Sequence, residues 1–101
     1  MSVFIHRVNV VTKSAEDRDK VLIAIDVLRT FMLAENMINE LSVDVNAKNP
    51  NQIKLYEVWE SFEAFREFTT KHEKFAEFMA TVMPHLESPP VSSGYTSTKV
   101  F

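Results

Sequence analysis

The sequence contains no cysteine, so disulfide bonds, thiolate metal sites and cysteine nucleophiles are all excluded. It has one glycine among 101 residues, and no glycine-rich phosphate loop, HExxH motif or paired-histidine spacing occurs. Nucleotide-binding and zinc-binding interpretations therefore have no support, and we predict neither a metal nor a cofactor. Without disulfides the fold must depend on its core, which in a chain of this length removes roughly two-thirds of the unfolded surface from water.

Positive charge and long apolar runs are also scarce. Lysine and arginine number 11 against 14 acidic residues, a net charge of -3, so no basic field exists to hold nucleic acid or an anionic membrane. The apolar runs are too short to span a bilayer, and His6 and Arg7 interrupt the stretch where a signal peptide would be apolar. We expect a single soluble domain over residues 1–101, located in the cytoplasm.

Hydrophobic periodicity predicts four strands and three helical segments. Ser14 can cap the first helix, and Thr70 and Glu73 have the spacing of a capping box, which would place His72 in the first turn of the last helix. We predict strands at residues 3–11, 38–46, 52–60 and 91–101, with helices from Ser14 to about Asn36, from Ser61, and from Thr70 to about Leu86.

This order of elements predicts an α+β fold of the ferredoxin-like βαββαβ type, a four-stranded antiparallel sheet with its helices on one face. The third strand carries Leu55 and Trp59 on one face, and Tyr56 and Val58 on the other. A sheet with one solvated face should instead alternate cleanly between apolar and polar residues. We therefore expect a second copy of the chain to cover the other face, in a two-fold homodimer that traps a cavity.

Residues capable of chemistry cluster around the third strand. Glu57 and Trp59 leave it on the same face, because strand side chains alternate. We infer that Arg7 and Asn9 of the first strand look into the cavity, where the guanidinium could bind an oxyanion or pair with Glu57. The structural Arg7–Glu57 pair is the simpler interpretation, since buried charges usually exist as pairs.

His72 is the candidate base. A helix N-terminus disfavours imidazolium and adjacent Glu73 favours it, so a neutral ring near pH 7 could accept a proton. A solvated position in the first helical turn is the alternative for His72, and packing at a protomer interface is the alternative for Trp59. His6 is interpreted as a core-facing polar group and His85 as a partner of the helix dipole, so neither is nominated.

The chain resembles the antibiotic biosynthesis monooxygenase domain over nearly its whole length. The residues that carry the resemblance are Tyr56-Glu57-Val58-Trp59-Glu60-Ser61, Ala64-Phe65, His72, Phe75 and Pro89-Pro90, followed by a final strand. The resemblance implies a dimeric α/β barrel and oxidation of polycyclic phenols, quinols or haem, often with no prosthetic group. Haem is not expected, because no histidine occupies the haem-ligand position. The segments 69–72 and 7–10 also resemble the branch that processes autoinducer-2 phosphate, an isomerase.

Together with the dimer expected from the third strand, this resemblance implies a homodimeric, cofactor-independent monooxygenase acting on a small aromatic or quinol-like substrate. In the predicted mechanism His72, or a water molecule near it, deprotonates the substrate and Trp59 flanks its ring, while Arg7 and Asn9 stabilise the developing negative charge. Glu57 is the remaining substrate-binding candidate. The alternatives are an isomerase of the autoinducer-2 phosphate type and a non-catalytic dimer that binds a small molecule.

Overall fold

Four antiparallel strands form one sheet in the computed structural model, which describes residues 1–101. The strands are β1 (Ser2–Val11), β2 (Glu40–Asn46), β3 (Asn49–Trp59) and β4 (Val91–Thr98), in the spatial order β2-β3-β1-β4. The helices are α1 (Ala15–Ala34), α2 (Phe62–Lys71) and α3 (Glu73–Val82), and a 3₁₀ turn (Met83–His85) follows α3. The predicted ferredoxin-like arrangement is confirmed. No helix combines the length and apolarity needed to cross a membrane.

Helix α1 begins and ends where local chemistry favours it. The Ser14 hydroxyl accepts a hydrogen bond from the Asp17 amide at 3.1 Å, as predicted for a cap. Val21, Ile25 and Met32 recur on one face and are buried. The helix is followed by Asn36, whose φ of 56° lies in the left-handed region that asparagine tolerates better than most residues.

The junction between α2 and α3 differs from the prediction. Helix α2 continues through Thr70, whose hydroxyl donates to the Arg66 carbonyl at 2.6 Å. The cap of α3 is His72, whose Nδ1 accepts from the Lys74 amide at 3.1 Å. The capping box at Thr70 was therefore wrong. A threonine hydroxyl within a helix can bond the carbonyl four residues earlier, which leaves the ring nitrogen of His72 to cap the next helix.

The two faces of the sheet have different surroundings. On the helical side, Ile53 and Trp59 are fully buried, at 0% and 1% exposure, in one core cluster with the apolar stripe of α1. Phe4 and Val10 of β1 belong to the same core. No element of the chain covers the opposite side, where strand β4 is exposed along almost its whole length. The helical side is thus the only side on which one protomer can enclose a site.

Asp17 connects the start of α1 to the turn before β4. Its Oδ2 accepts from the Ser14 hydroxyl at 2.7 Å, and its Oδ1 lies 2.7 Å from Nδ1 of His85. The bond from Ser14, and after it that from His85, holds the pKa of Asp17 below its usual value of 3.8. His85 was predicted to serve the helix dipole; its observed partner is this carboxylate.

Asp17→Asn is expected to destabilise the protein at neutral pH and to have a vanishing effect in acid. Because the folded pKa is the lower one, the carboxylate stabilises the fold fully above the unfolded value near 3.8 and ceases to as pH falls through the folded value. Urea unfolding of both proteins from about pH 7 to about pH 3 measures this. Asp26→Asn, on the exposed face of α1, is the matched control and should show no such dependence. A difference between wild type and Asp17→Asn that stays constant in acid would contradict the assignment.

Candidate functional site

A cavity of about 240 Å³ lies between the sheet and the helices. Sixteen of its 21 lining residues are hydrophobic, and they come from β1, β2, β3 and all three helices. The polar side chains in its wall are those of His6, Glu57, Thr69 and Ser92, and no lysine or arginine lines it. The cavity therefore suits an apolar molecule that carries a polar group at one point.

His6, Glu57 and Trp59 form the polar centre of this cavity. His6 lies opposite Glu57 in the antiparallel register of β1 and β3. Oε1 of Glu57 accepts from the indole Nε1 of Trp59 at 2.9 Å and lies 2.9 Å from Nδ1 of His6. Since an ionised carboxylate only accepts hydrogen bonds, Nδ1 of His6 carries the proton in this contact. When His6 is neutral, its Nε2 is then the nitrogen with the free lone pair.

Two acceptor atoms of this centre remain available to a ligand. Neither Nε2 of His6 nor Oε2 of Glu57 has a protein partner, and no buried side-chain nitrogen or oxygen is left unpaired. Both atoms therefore reach accessible space, although the two side chains are only 13% and 12% exposed. A molecule in the cavity would meet two hydrogen-bond acceptors, one of them a basic nitrogen.

Aromatic rings fix the orientation of the imidazole. The ring centroid of Phe65 lies 4.5 Å from that of His6, and Phe4 stacks on His6 at 6.2 Å with an interplanar angle of 18°. Trp59 contacts Phe65 and Phe68 at 5.5 and 5.7 Å. With its Nδ1 bonded and its faces packed, His6 has little rotational freedom, which favours a defined chemical role.

The sequence interpretation placed Arg7 and Asn9 in the cavity beside Glu57, and this placement is wrong. Both lie on the uncovered side of the sheet, because they alternate with His6 along β1. The Arg7 guanidinium sits 4.9 Å above the Tyr56 ring, and the Asn9 side-chain oxygen accepts from Gln52 at 2.8 Å. The proposed Arg7–Glu57 pair is also wrong, since Glu57 bonds His6 and Trp59 instead.

His72 lies outside the cavity that contains Glu57. Its ring packs between Phe31 and Phe68, at 5.5 and 4.9 Å, and its Nδ1 is engaged by the Lys74 amide. It borders a separate surface groove that Trp59 also reaches. The structure thus brings Glu57 and Trp59 together and leaves His72 apart from Glu57; its role as a base stays a prediction.

His6 is the functional candidate that sequence reasoning missed. The available signal was a single histidine between Phe4 and Val8 on an otherwise apolar strand face. Its significance depends on the register that sets it opposite Glu57, 51 residues away in the chain. No group of three or more histidine or carboxylate side chains is placed to hold a metal ion.

Solved structures with this arrangement come from several bacteria. A proposed antibiotic biosynthesis monooxygenase from Nitrosomonas europaea superimposes with a TM-score of 0.84 at 14% identity, over 94% of this chain and 89% of the other. Rv0793 from Mycobacterium tuberculosis superimposes with a TM-score of 0.81 at 16% identity, over 99% of this chain and 98% of the other. A further antibiotic biosynthesis monooxygenase superimposes with a TM-score of 0.78 at 18% identity, over 98% of this chain and 100% of the other.

No family model matches the chain, and no curated protein has significant sequence similarity to it. At identities this low, the structural likenesses are evidence about architecture rather than about activity. They support the resemblance drawn from the sequence around Trp59. The chain has the ferredoxin-like fold of the antibiotic biosynthesis monooxygenase structures.

Proposed function

We propose that the protein is a monooxygenase of the antibiotic biosynthesis type, which uses dioxygen and no bound cofactor to oxidise a small, largely apolar phenol or quinol. One observation carries the proposal: the His6–Glu57 pair lines an apolar cavity and leaves Nε2 of His6 without a protein partner. The shared fold supports the reaction class. The proposal also places the enzyme in the cytoplasm, where a disulfide-free sequence suits a reducing environment.

His6 takes the role that the sequence interpretation gave to His72. The substrate hydroxyl would donate its proton to Nε2 of His6, while Glu57 stabilises the resulting imidazolium through Nδ1–H. Trp59 holds the same carboxylate oxygen through its indole N–H. This is the arrangement of a base held and supported by a carboxylate, which in other enzymes raises the efficiency of proton transfer.

Deprotonation prepares the ring for dioxygen, because a phenolate gives up an electron far more easily than a phenol. The ring carbon then forms a bond to one oxygen atom of dioxygen, and cleavage of the O–O bond releases the other atom as water. One phenol and one dioxygen thus give one quinone and one water. The walls around His6 are mainly apolar, which reduces the access of water to the charged intermediate.

The cavity gives less support to an isomerase acting on a phosphorylated sugar. A phosphate dianion needs cationic or amide donors, whereas the wall contains the Glu57 carboxylate and neither lysine nor arginine. Both free polar atoms of the centre, on His6 and Glu57, are acceptors. They suit a neutral ligand that donates a hydrogen bond, and they repel an anion.

Oxygen uptake with a panel of apolar phenols and quinols tests the proposal. We expect consumption of one dioxygen per product molecule, with no turnover of the methyl ether of the best substrate, which fits the cavity but has no proton to give. Isomerisation of a sugar phosphate would contradict the proposal. Calorimetric binding of phenols without oxygen uptake would identify a non-catalytic binding protein instead.

We further propose that the enzyme is a homodimer in which the uncovered sides of two sheets face each other. This side carries Ile5, Tyr56, Val58 and Tyr95, the last of them 51% exposed. A sheet face with this much apolar surface rarely remains in contact with water. A second copy of the same sheet would cover it with matching strands and side chains.

Val58→Asp is expected to convert the dimer into a folded monomer, because it places a carboxylate among the apolar side chains of the proposed interface. Light scattering should give about twice 11.6 kDa for the wild type and about one protomer mass for the variant. Val27→Asp is the matched control: Val27 is 68% exposed on α1, away from this face, and the variant should stay dimeric. A wild-type protein that is monomeric at micromolar concentration would contradict the dimer.

A further inference from the structure

Gly94, the only glycine of the chain, lies in the middle of β4 directly opposite His6 of β1. Its backbone does not require glycine, because no glycine in the structure has a positive φ. A glycine within a strand weakens the strand and often marks a place where another group approaches closely. The reason for Gly94 should therefore lie in the space above it.

That space is filled by the ring of Phe4. A Cβ atom added at Gly94 would lie 2.4 Å from Cζ of Phe4, and 3.1 and 3.2 Å from its two Cε atoms. Phe4 is only 6% exposed and is held by Phe62 and Phe65, with ring centroids at 5.2 and 5.0 Å. Any larger residue at position 94 would force this packed ring to move.

Movement of Phe4 would reach His6. The Phe4 ring stacks on the imidazole, and Phe65 packs against both rings. The hydrogen bond from Nδ1 of His6 to Glu57 depends on the orientation of that imidazole. Gly94, Phe4 and His6 therefore form a continuous line of contact from the edge strand to the polar centre of the cavity.

We propose that Gly94 is a positioning residue for His6, since its missing side chain leaves room for the tip of the Phe4 ring over β4, where Phe4 can hold the imidazole in its bonded orientation. The catalytic meaning of this role rests on the proposed function. The positioning itself concerns only the state of the His6 ring and can be measured without any substrate.

The test compares Gly94→Ala with wild type in two measurements. Nitrogen-15 NMR of the imidazole should show His6 of the wild type with its proton on Nδ1 when neutral, and Gly94→Ala should shift the ring resonances toward a mixture of tautomers. On a verified substrate, kcat should fall by about 10- to 100-fold while KM changes less than about threefold, as expected for a displaced base. Ser93→Ala, on the opposite face of the same strand, is the matched control and should change neither.

The Phe4→Leu background separates positioning from a general loss of packing. If Gly94 acts through the Phe4 ring, adding Gly94→Ala to Phe4→Leu should change kcat by less than about twofold. The His6 resonances should stay as they are in Phe4→Leu alone. An undiminished effect in that background overturns the proposal, as do unchanged His6 resonances in Gly94→Ala. If Gly94→Ala does not fold, the spectrum of Phe4→Leu tests the proposal instead. A His6 spectrum identical to that of the wild type in Phe4→Leu would overturn the proposal, because the Phe4 ring would then not hold the imidazole. Absence of any oxygenase activity would refute the proposed function and leave the NMR result standing.

Discussion

His6→Gln is expected to lower kcat by about 10²–10⁴-fold with little change in melting temperature. Glutamine keeps a side-chain N–H that can donate to Glu57, whose Oε1 accepts from His6 at 2.9 Å, but it has no basic nitrogen to receive the substrate proton. Oxygen uptake under saturating substrate measures kcat, and calorimetry measures the melting temperature. The loss should appear in kcat rather than in KM, since a base acts on the transition state.

His72→Gln is the matched control for this experiment. His72 caps α3 on the surface, so its replacement should cost about 1 kcal/mol of stability or less and leave kcat near the wild-type value. The opposite pattern, with a large loss for His72→Gln and none for His6→Gln, would restore the base predicted from the sequence. It would also move the reaction from the cavity between the sheet and the helices to the groove beside Lys71.

Trp59→Ala is expected to have the largest effect on folding, at about 3–5 kcal/mol of unfolding free energy. The indole is 1% exposed, packs on Phe65 and Phe68, and donates to Glu57. Trp59→Phe keeps an aromatic ring and should lose about 1–2 kcal/mol. Urea unfolding at a fixed protein concentration measures both changes, so that any dimer dissociation affects each variant equally.

Phe62→Ala serves as the comparison for Trp59, because it truncates an aromatic residue that is 44% exposed. We expect it to cost about 1 kcal/mol or less, since exposed surface contributes little when it is removed. If Phe62→Ala were as destabilising as Trp59→Ala, the core would not be centred on the tryptophan. The support of the Glu57 carboxylate by the indole would then be of minor importance.

The fold could be predicted from the sequence because each helix and strand has a local sequence pattern. The period-two alternation of residues 38–46 and the helical spacing of Val21, Ile25 and Met32 depend only on neighbours in the chain. The shared orientation of Glu57 and Trp59 follows from the same period. Helix ends were harder to predict. The Thr70 hydroxyl could either cap the following helix or donate a hydrogen bond to the Arg66 carbonyl, and it donates to Arg66.

The site was harder to predict from the sequence, because it depends on which strands become neighbours and on the register of their pairing. Alternation along β1 separates His6 from Arg7, but it does not say which of them faces the helices. Charge complementarity favoured Arg7 as the partner of Glu57, whereas His6, interpreted from the sequence only as core-facing, lies beside Glu57 on the same side as buried Phe4 and Val10. In this chain the apolar neighbours of a residue were a better guide to its side of the sheet than its charge.

The strand order has a consequence for how the protein is made. Strand β1 is synthesised first but occupies the interior of the sheet, between β3 and β4, so that Ser2 bonds Thr98 across 96 residues. Folding is slowed because the entropy cost of closing loops of this length comes before the contacts that stabilise them form. On the ribosome, one edge of β1 has no strand to pair with until β3 appears, and its second edge stays open until β4 follows. The surroundings of His6 are therefore completed last, when β4 pairs with β1 and brings Gly94 opposite the histidine.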